Sequence, residues 1–173
     1  MAKREKFQKT NAMRELERAG ISFTYQEFEE DDLTRGLGLR MALEAGVDPA
    51  SSFKTLVTVA PSGTYVVCCI PVGEELDVKK AAAAAGEKSL SMLPTKELEG
   101  LTGYVRGGCS PVGMKKRFPT LIDETAQLFD IIGISGGRRG LSLRLAPDDL
   151  LAFCDAKYAD ICREETRGAI TKT

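Results

Sequence analysis

The chain has 173 residues, of which 43% are hydrophobic and 28% charged, and its formal net charge is −1. This composition fits one globular domain large enough to bury a core, and the near-neutral balance argues against a general polyanion binder. The absence of histidine excludes Ser-His-Asp triads, Cys-His pairs and imidazole metal ligands.

The first 20 residues, MAKREKFQKTNAMRELERAG, lack the apolar centre of a signal peptide. Asn11–Ala19 reads as a short amphipathic helix of the same domain, stopped by Gly20. The main body is expected over residues 21–165. Ile21–Phe28 alternates as a strand does. The acidic run from Glu27 to Asp32 reads as a solvated loop. Thr34–Ala45 looks helical and ends at Gly46, and Asp48-Pro49 has the form of an N-cap and first-turn pair.

Phe53–Ala60 and Thr64–Pro71 are rich in β-branched residues and flank Pro61-Ser62-Gly63, so they form a β-hairpin. Asp77 caps a helix over Val78–Ala85, with Gly86 as its stop. A short strand follows at Ser89–Leu93, then a helix over Pro94–Leu101. Strands are expected around Gly103–Arg106, Thr120–Asp123, Asp130–Ser135 and Leu141–Leu145. A last helix spans about Pro147 to Glu165, with Leu150, Leu151, Cys154, Tyr158, Ile161 and Cys162 as its apolar stripe. Residues 166–173 form a tail that frays from Arg167. Strands outnumber helices and are joined by short turns, which favours an α+β fold with a mixed, mostly antiparallel sheet.

No apolar run approaches the roughly 20 residues of a membrane span. The five cysteines are odd in number and have no CxxC spacing, so they read as reduced thiols of a cytoplasmic protein. Cys68 and Cys69 adjoin in a strand and point to opposite faces, which prevents them from chelating one metal together. Neither a metal nor a cofactor is expected.

Gly103–Leu145 is the most informative stretch. It carries seven Lys/Arg against three Asp/Glu, a net of +4 that leaves −5 for the remainder of the chain. Gly107-Gly108 precedes Lys115-Lys116-Arg117, and Gly136-Gly137 precedes Arg138-Arg139. Paired glycines permit close backbone approach and positive φ, and the basic residues beside them suit phosphate or carboxylate groups. The glycines match neither a dinucleotide fingerprint nor a P-loop. Lys54, in the first hairpin strand beside Leu56 and Thr58, is either an edge-strand lysine reaching for solvent or a desolvated cation at a site. Cys109 lies beside basic residues, yet no histidine is available to activate it. Ser135 opens a glycine turn, where it either caps the turn or donates to a ligand.

Five motifs stand in order and spacing: Phe53-Lys54-Thr55-Leu56; Gly103-Tyr104; Gly107-Gly108-x-Ser110-Pro111-x-Gly113-x-Lys115-Lys116; Pro119-Thr120-x-Ile122-Asp123; and Ser135-Gly136-Gly137-x-Arg139-Gly140-Leu141. In these the chain resembles the YbaK family, from about Ile21 to Asp160. The family comprises free-standing aminoacyl-tRNA deacylases related to the editing domain of bacterial prolyl-tRNA synthetase. The resemblance implies a barrel-like sheet surrounded by helices. It also implies removal of cysteine mischarged on tRNA(Pro), alongside prolyl-tRNA synthetase. In that chemistry the substrate's own thiol attacks the ester carbonyl, which suits a chain without histidine.

The family's required lysine matches Lys54, the implied catalytic residue. Thr55, Phe28, Gly107, Gly108, Ser110, Ser135, Gly136, Gly137 and Ser142 would line the aminoacyl pocket. Lys115, Lys116, Arg138 and Arg139 would hold phosphates of the acceptor end. The chain departs from the family pattern at Phe28, where a tyrosine is common, and at Ser142, where an aspartate is common. These departures leave open a deacylase for another small amino acid such as alanine, acting through water, or a non-catalytic tRNA-binding module. The sequence does not define the oligomeric state.

Overall fold

The Pro61-Ser62-Gly63 turn closes as its residues dictate: Ala60 N–H donates to Thr64 O, and Gly63 adopts φ +88°. In this computed structural model, described over residues 7–28 and 37–167, the helices are α1 (Asn11–Arg18), α2 (Leu37–Glu44), α3 (Val78–Ala85), α4 (Thr95–Thr102) and α5 (Pro147–Cys154). The strands are β1 (Thr24–Glu27), β2 (Phe53–Val59), β3 (Tyr65–Pro71), β4 (Ser91–Met92), β5 (Thr120–Asp123), β6 (Ile132–Ser135), β7 (Leu141–Leu145) and β8 (Lys157–Ala159). Helix starts follow local chemistry. Thr10 accepts from Met13 N–H, and Asp77 accepts from the N–H groups of Lys79 and Lys80. Gly86 closes α3 in the left-handed conformation.

Two sheets result. The larger runs β4-β2-β3-β5-β8, with β2 antiparallel to β3 and β4, and with β3–β5 and β5–β8 parallel. The smaller is antiparallel, in the order β1-β7-β6. A single parallel bridge, Ser52 to Gly133, joins them. The fold is therefore α+β with mixed sheets, but the expected barrel-like closure is absent, and each sheet keeps its edges. One core lies between the sheets. Phe53, Val57, Val67, Cys69 and Ile122 meet Ile132, Ile134, Leu141, Leu143 and Leu145 there, with Met13 and Leu16 of α1. A second core lies on the far side of the larger sheet, where Val66, Cys68, Ile70 and Leu121 meet Ala81 and Ala82 of α3. Alanines there let the helix approach closely. Being buried on both faces explains the unbroken apolar run of β3.

Three expectations need correction. Gly103–Arg106 is not a strand: Gly103 ends α4 at φ +86°, and the loop then wraps around Tyr104, whose Oη donates to Val112 O at 2.6 Å. The helix expected to reach Glu165 ends at Cys154, because Asp155 turns left-handed at φ +48° and caps it. Leu150 belongs to the first core, whereas Ile161 and Cys162 belong to the second, so the apparent stripe joined two separate segments. Arg167, where fraying was expected, is instead held by ion pairs with Asp123, Asp160 and Glu74. The acidic run from Glu29 and the first part of the helix expected from Thr34 lie outside the described residues. No helix of the described residues is long and apolar enough to cross a membrane.

Candidate functional site

On β7 the core takes Leu141, Leu143 and Leu145, so Ser142 and Arg144 face the other way. Register places Ser135 opposite Ser142 and Gly133 opposite Arg144 on one side, and Gln26 and Thr24 opposite the same pair on the other. This polar face of the smaller sheet is the floor of a pocket of about 70 Å³. Met41 and Ala42 of α2, with Ala45 just beyond it, cover it, and Phe28 and Ser52 border it. The volume is far below the roughly 300–1,000 Å³ of sites for drug-sized ligands, so it admits a small side chain and not a nucleotide. Among the described residues no acidic side chain lines it.

Phe28 and Ser142, drawn from distant parts of the chain, thus meet in one pocket. Lys54 stands two residues beyond Ser52 on an extended strand, which places both on one side of β2. Lys54 is half-buried and, among the described residues, makes no hydrogen bond or ion pair. Burial pushes its ammonium below the ordinary lysine pKa, and the nearby Cys162, Glu75 and Glu74 oppose that shift. Alternation sends Thr55 to the opposite face, where its hydroxyl lies 3.9 Å from Cys69 Sγ.

The glycine pairs make close approaches within the fold. A Cβ on Gly108 would lie 3.0 Å from backbone atoms of Arg138 and Arg139, and one on Gly107 would lie 2.8 Å from Arg139 Nε. Gly136 packs on Leu141, and Gly137 packs on the Tyr104 ring. The two glycine loops therefore interlock with each other, and their close approaches are to protein. Ser110 is fully buried and accepts from Val112 N–H, while Ser135 accepts from Gly137 N–H at 3.3 Å. Both hydroxyls serve turns.

The basic residues divide into two groups. Lys115, Lys116 and Arg117 line a groove of about 210 Å³ with Phe118 and Phe153. Lys115 Nζ donates to Gly100 O, and Arg117 stacks over the Phe153 ring at 5.3 Å. Arg138 is engaged elsewhere, bonded to Glu27 and Gln8 O and lying over the Phe7 ring. Arg139 Nε is buried against Gly107 without a hydrogen-bond partner among the described residues.

Burial pushes the thiols of Cys68, Cys109 and Cys154 up to about 12 and that of Cys69 well above its ordinary value. Each is a neutral thiol near pH 7, and only the thiolate is a nucleophile. Sequence reasoning missed Arg144 and Ser52. The available signal was a glycine, Gly133, inside a strand, which marks a close approach. A Cβ there would lie 3.1 Å from Arg144 Nη1 and 3.4 Å from Ser52 Oγ.

The comparisons with known proteins bear on this geometry. A family model described as an aminoacyl-tRNA editing domain matches residues 40–153. The chain is 44% identical over 167 residues to an Enterococcus faecalis (strain ATCC 700802 / V583) protein named "Putative Cys-tRNA(Pro)/Cys-tRNA(Cys) deacylase EbsC", covering 95% of this chain and 100% of the relative. A solved structure titled "Crystal structure of a putative trans-editing enzyme for prolyl tRNA synthetase" superposes with a TM-score of 0.78 at 26% identity, covering 88% of this chain and 95% of that one. The hypothetical protein APE2540 superposes with a TM-score of 0.79 at 22% identity, over 89% of this chain and 100% of its own, and so shares the fold.

Proposed function

This chain belongs to the aminoacyl-tRNA editing domain family, of YbaK type, and from that premise we propose that it is a trans-editing deacylase that removes cysteine mischarged on tRNA(Pro). The observation that carries the reading is the small pocket beneath α2. It brings Phe28, Ser52, Ser142 and Arg144 together on the same side as Lys54 and has room for one short side chain. The 44% identical relative carries a name of the same activity.

The chemistry is substrate-assisted. No histidine exists, and all five cysteine thiols are held neutral by burial, which favours a nucleophile brought by the substrate, the cysteinyl sulfur. Sulfur attacks the ester carbonyl, the bond to the ribose oxygen breaks, and a β-thiolactone and free tRNA leave. The protein's contribution is to hold a bent attack geometry and to stabilise developing negative charge on the carbonyl oxygen. Lys54, cationic and unpaired among the described residues, supplies that charge at low screening. Lys115 and Lys116, with Arg117, hold acceptor-end phosphates in their groove, a contact blind to sequence. Choice of tRNA then comes from prolyl-tRNA synthetase acting alongside.

The test is deacylation of Cys-, Ser- and Ala-tRNA(Pro), with and without prolyl-tRNA synthetase. Cys-tRNA(Pro) is expected to be cleared and Ser-tRNA(Pro) left intact. Equal clearance of Ala-tRNA(Pro) would overturn the thiol mechanism in favour of water-mediated hydrolysis. Lys54→Ala is expected to lower kcat/KM by about 100-fold or more, the cost of losing one preorganised charge at the oxyanion. Full activity in that variant would remove Lys54 from the mechanism.

A further inference from the structure

We propose that Arg144 selects the cysteinyl side chain by holding its sulfur as a thiolate in the pocket beneath α2. This deepens the deacylase reading and rests on it. Arg144 sits on the central strand of the smaller sheet, half-buried, with its guanidinium under α2. Nη2 donates to Ser51 Oγ at 3.2 Å, and Ser51 donates in turn to Asp48 O at 2.7 Å. This anchor leaves Nη1 beside Gly133, next to Ser52 Oγ and Ser142 Oγ. Among the described residues Arg144 has no acidic partner.

The charged groups on the surrounding elements are occupied elsewhere or lie off the pocket. Glu27 of β1 pairs with Arg138, and Glu44 pairs with Arg40 across one turn of α2. Asp48 caps the turn at Ala50, and Lys54 of β2 adds a second positive charge. Among the described residues, Tyr25 is the one titratable side chain besides Arg144 that lines the pocket. Among the described residues, therefore, the pocket is lined by one cation, Arg144, and by no carboxylate. An α-ammonium would meet repulsion there, whereas a thiolate meets a counter-charge.

An opposite charge within about 4–6 Å lowers an acidic pKa by about 1–3 units, and a thiol beside Arg is activated in this way. The thiol proton passes to solvent. The thiolate forms its bond to the carbonyl carbon, and the departing ribose oxygen takes a proton back, so charge and atoms balance. Serine's hydroxyl stays protonated near neutral pH, and alanine offers no acid at all. Selection by ionisation therefore does not depend on the roughly 1–3 kcal/mol that a methylene supplies to a size filter.

The experiment follows kcat/KM for Cys-tRNA(Pro) from about pH 5.5 to about 8.5, bracketing a shifted thiol below its ordinary value of about 8.5, with spontaneous ester hydrolysis subtracted. It uses the full chain, Arg144→Gln, Arg144→Lys and Ser142→Asp, each checked by thermal unfolding. In Arg144→Gln the rising limb is expected to move up by about one unit or more, an at least tenfold loss on the acid side that narrows toward the alkaline end. Arg144→Lys keeps the charge and moves the limb less. Ser142→Asp adds a like charge beside the sulfur and also moves the limb up, so the test survives if Arg144→Gln does not fold. A uniform loss at every pH, or unchanged profiles in Arg144→Gln and Ser142→Asp, would overturn the role of Arg144 while leaving the deacylase reading intact. A wild-type chain inert on Cys-tRNA(Pro) at every pH would instead overturn that reading, and the inference with it.

Discussion

Gly108 shows how a residue chosen for what it lacks can position residues chosen for what they carry. Its Cα faces the backbone of Arg138 and Arg139, and a methyl group there would lie 3.0 Å from atoms that cannot rotate away. Gly108→Ala is therefore expected to cost about 1–3 kcal/mol by overpacking, read as a fall of several degrees in Tm. It should also loosen the buried Arg139 Nε and the turn that carries Arg138. Glycine pairs beside basic residues were legible as a site of close approach. Their partner was not, because a sequence does not reveal whether protein or ligand fills the space a side chain leaves. Arg144 was missed for a related reason: an arginine alternating with leucines reads as a solvated strand face unless the helix covering that face is known.

At the scale of elements, local chemistry sufficed wherever the deciding contacts were local. The hairpin followed from its turn and β-branched runs, and α3 from Asp77 and Gly86. The last helix failed because its end depends on one exposed residue, Asp155, adopting φ +48°. Aspartate tolerates that conformation, and nothing in its identity demands it. Exposed substitutions usually fall within about 0.5 kcal/mol, so strain there can be isolated. Asp155→Val is expected to destabilise by about 1–2 kcal/mol, because left-handed backbone penalises a branched side chain, with Asp155→Gly near neutral. Urea midpoints check both. Equal midpoints for the Val and Gly variants would show that α5 does not depend on this cap.

At the scale of the molecule, Arg167 ties the C-terminal region to the carboxyl ends of the larger sheet's three parallel strands. It bonds Asp123 at the end of β5 through both guanidinium nitrogens, and it also pairs with Asp160 beyond β8 and with Glu74 beyond β3. Burial alone would raise the Asp123 carboxyl. Bonds from Arg167, Thr125 and the Ile161 N–H outweigh it and hold the pKa below the ordinary value. A depressed carboxyl stabilises the fold above the unfolded value of about 3.9 and loses that contribution as pH falls through the folded value. Arg167→Ala should cost roughly 3 kcal/mol near neutral pH, the low end for breaking a buried pair because Arg167 keeps some solvent contact. The gap between variant and wild type should shrink below about pH 4 as the stranded carboxylate takes up a proton. Chemical denaturation at a series of pH values reads this, and a pH-independent gap would contradict it. None of this was visible in the sequence, where Arg167 opens an unremarkable polar tail. The pocket was equally hidden, since its walls come from residues near positions 24–28, 41–47, 52 and 142–144, brought together only by pairing of distant strands.

The antiparallel register of β2 against β3, with Lys54 facing Ile70 and Thr55 facing Cys69, makes the placement of Lys54 and folding a single condition. A slip of one position would turn every side chain of β2 over. The ammonium of Lys54 would enter the layer between the sheets and Phe53 would leave it, so the mispaired chain could not bury its core. A lysine displaced in this way cannot persist in a folded chain. Errors in this hairpin therefore yield chains that fail to fold and are open to degradation.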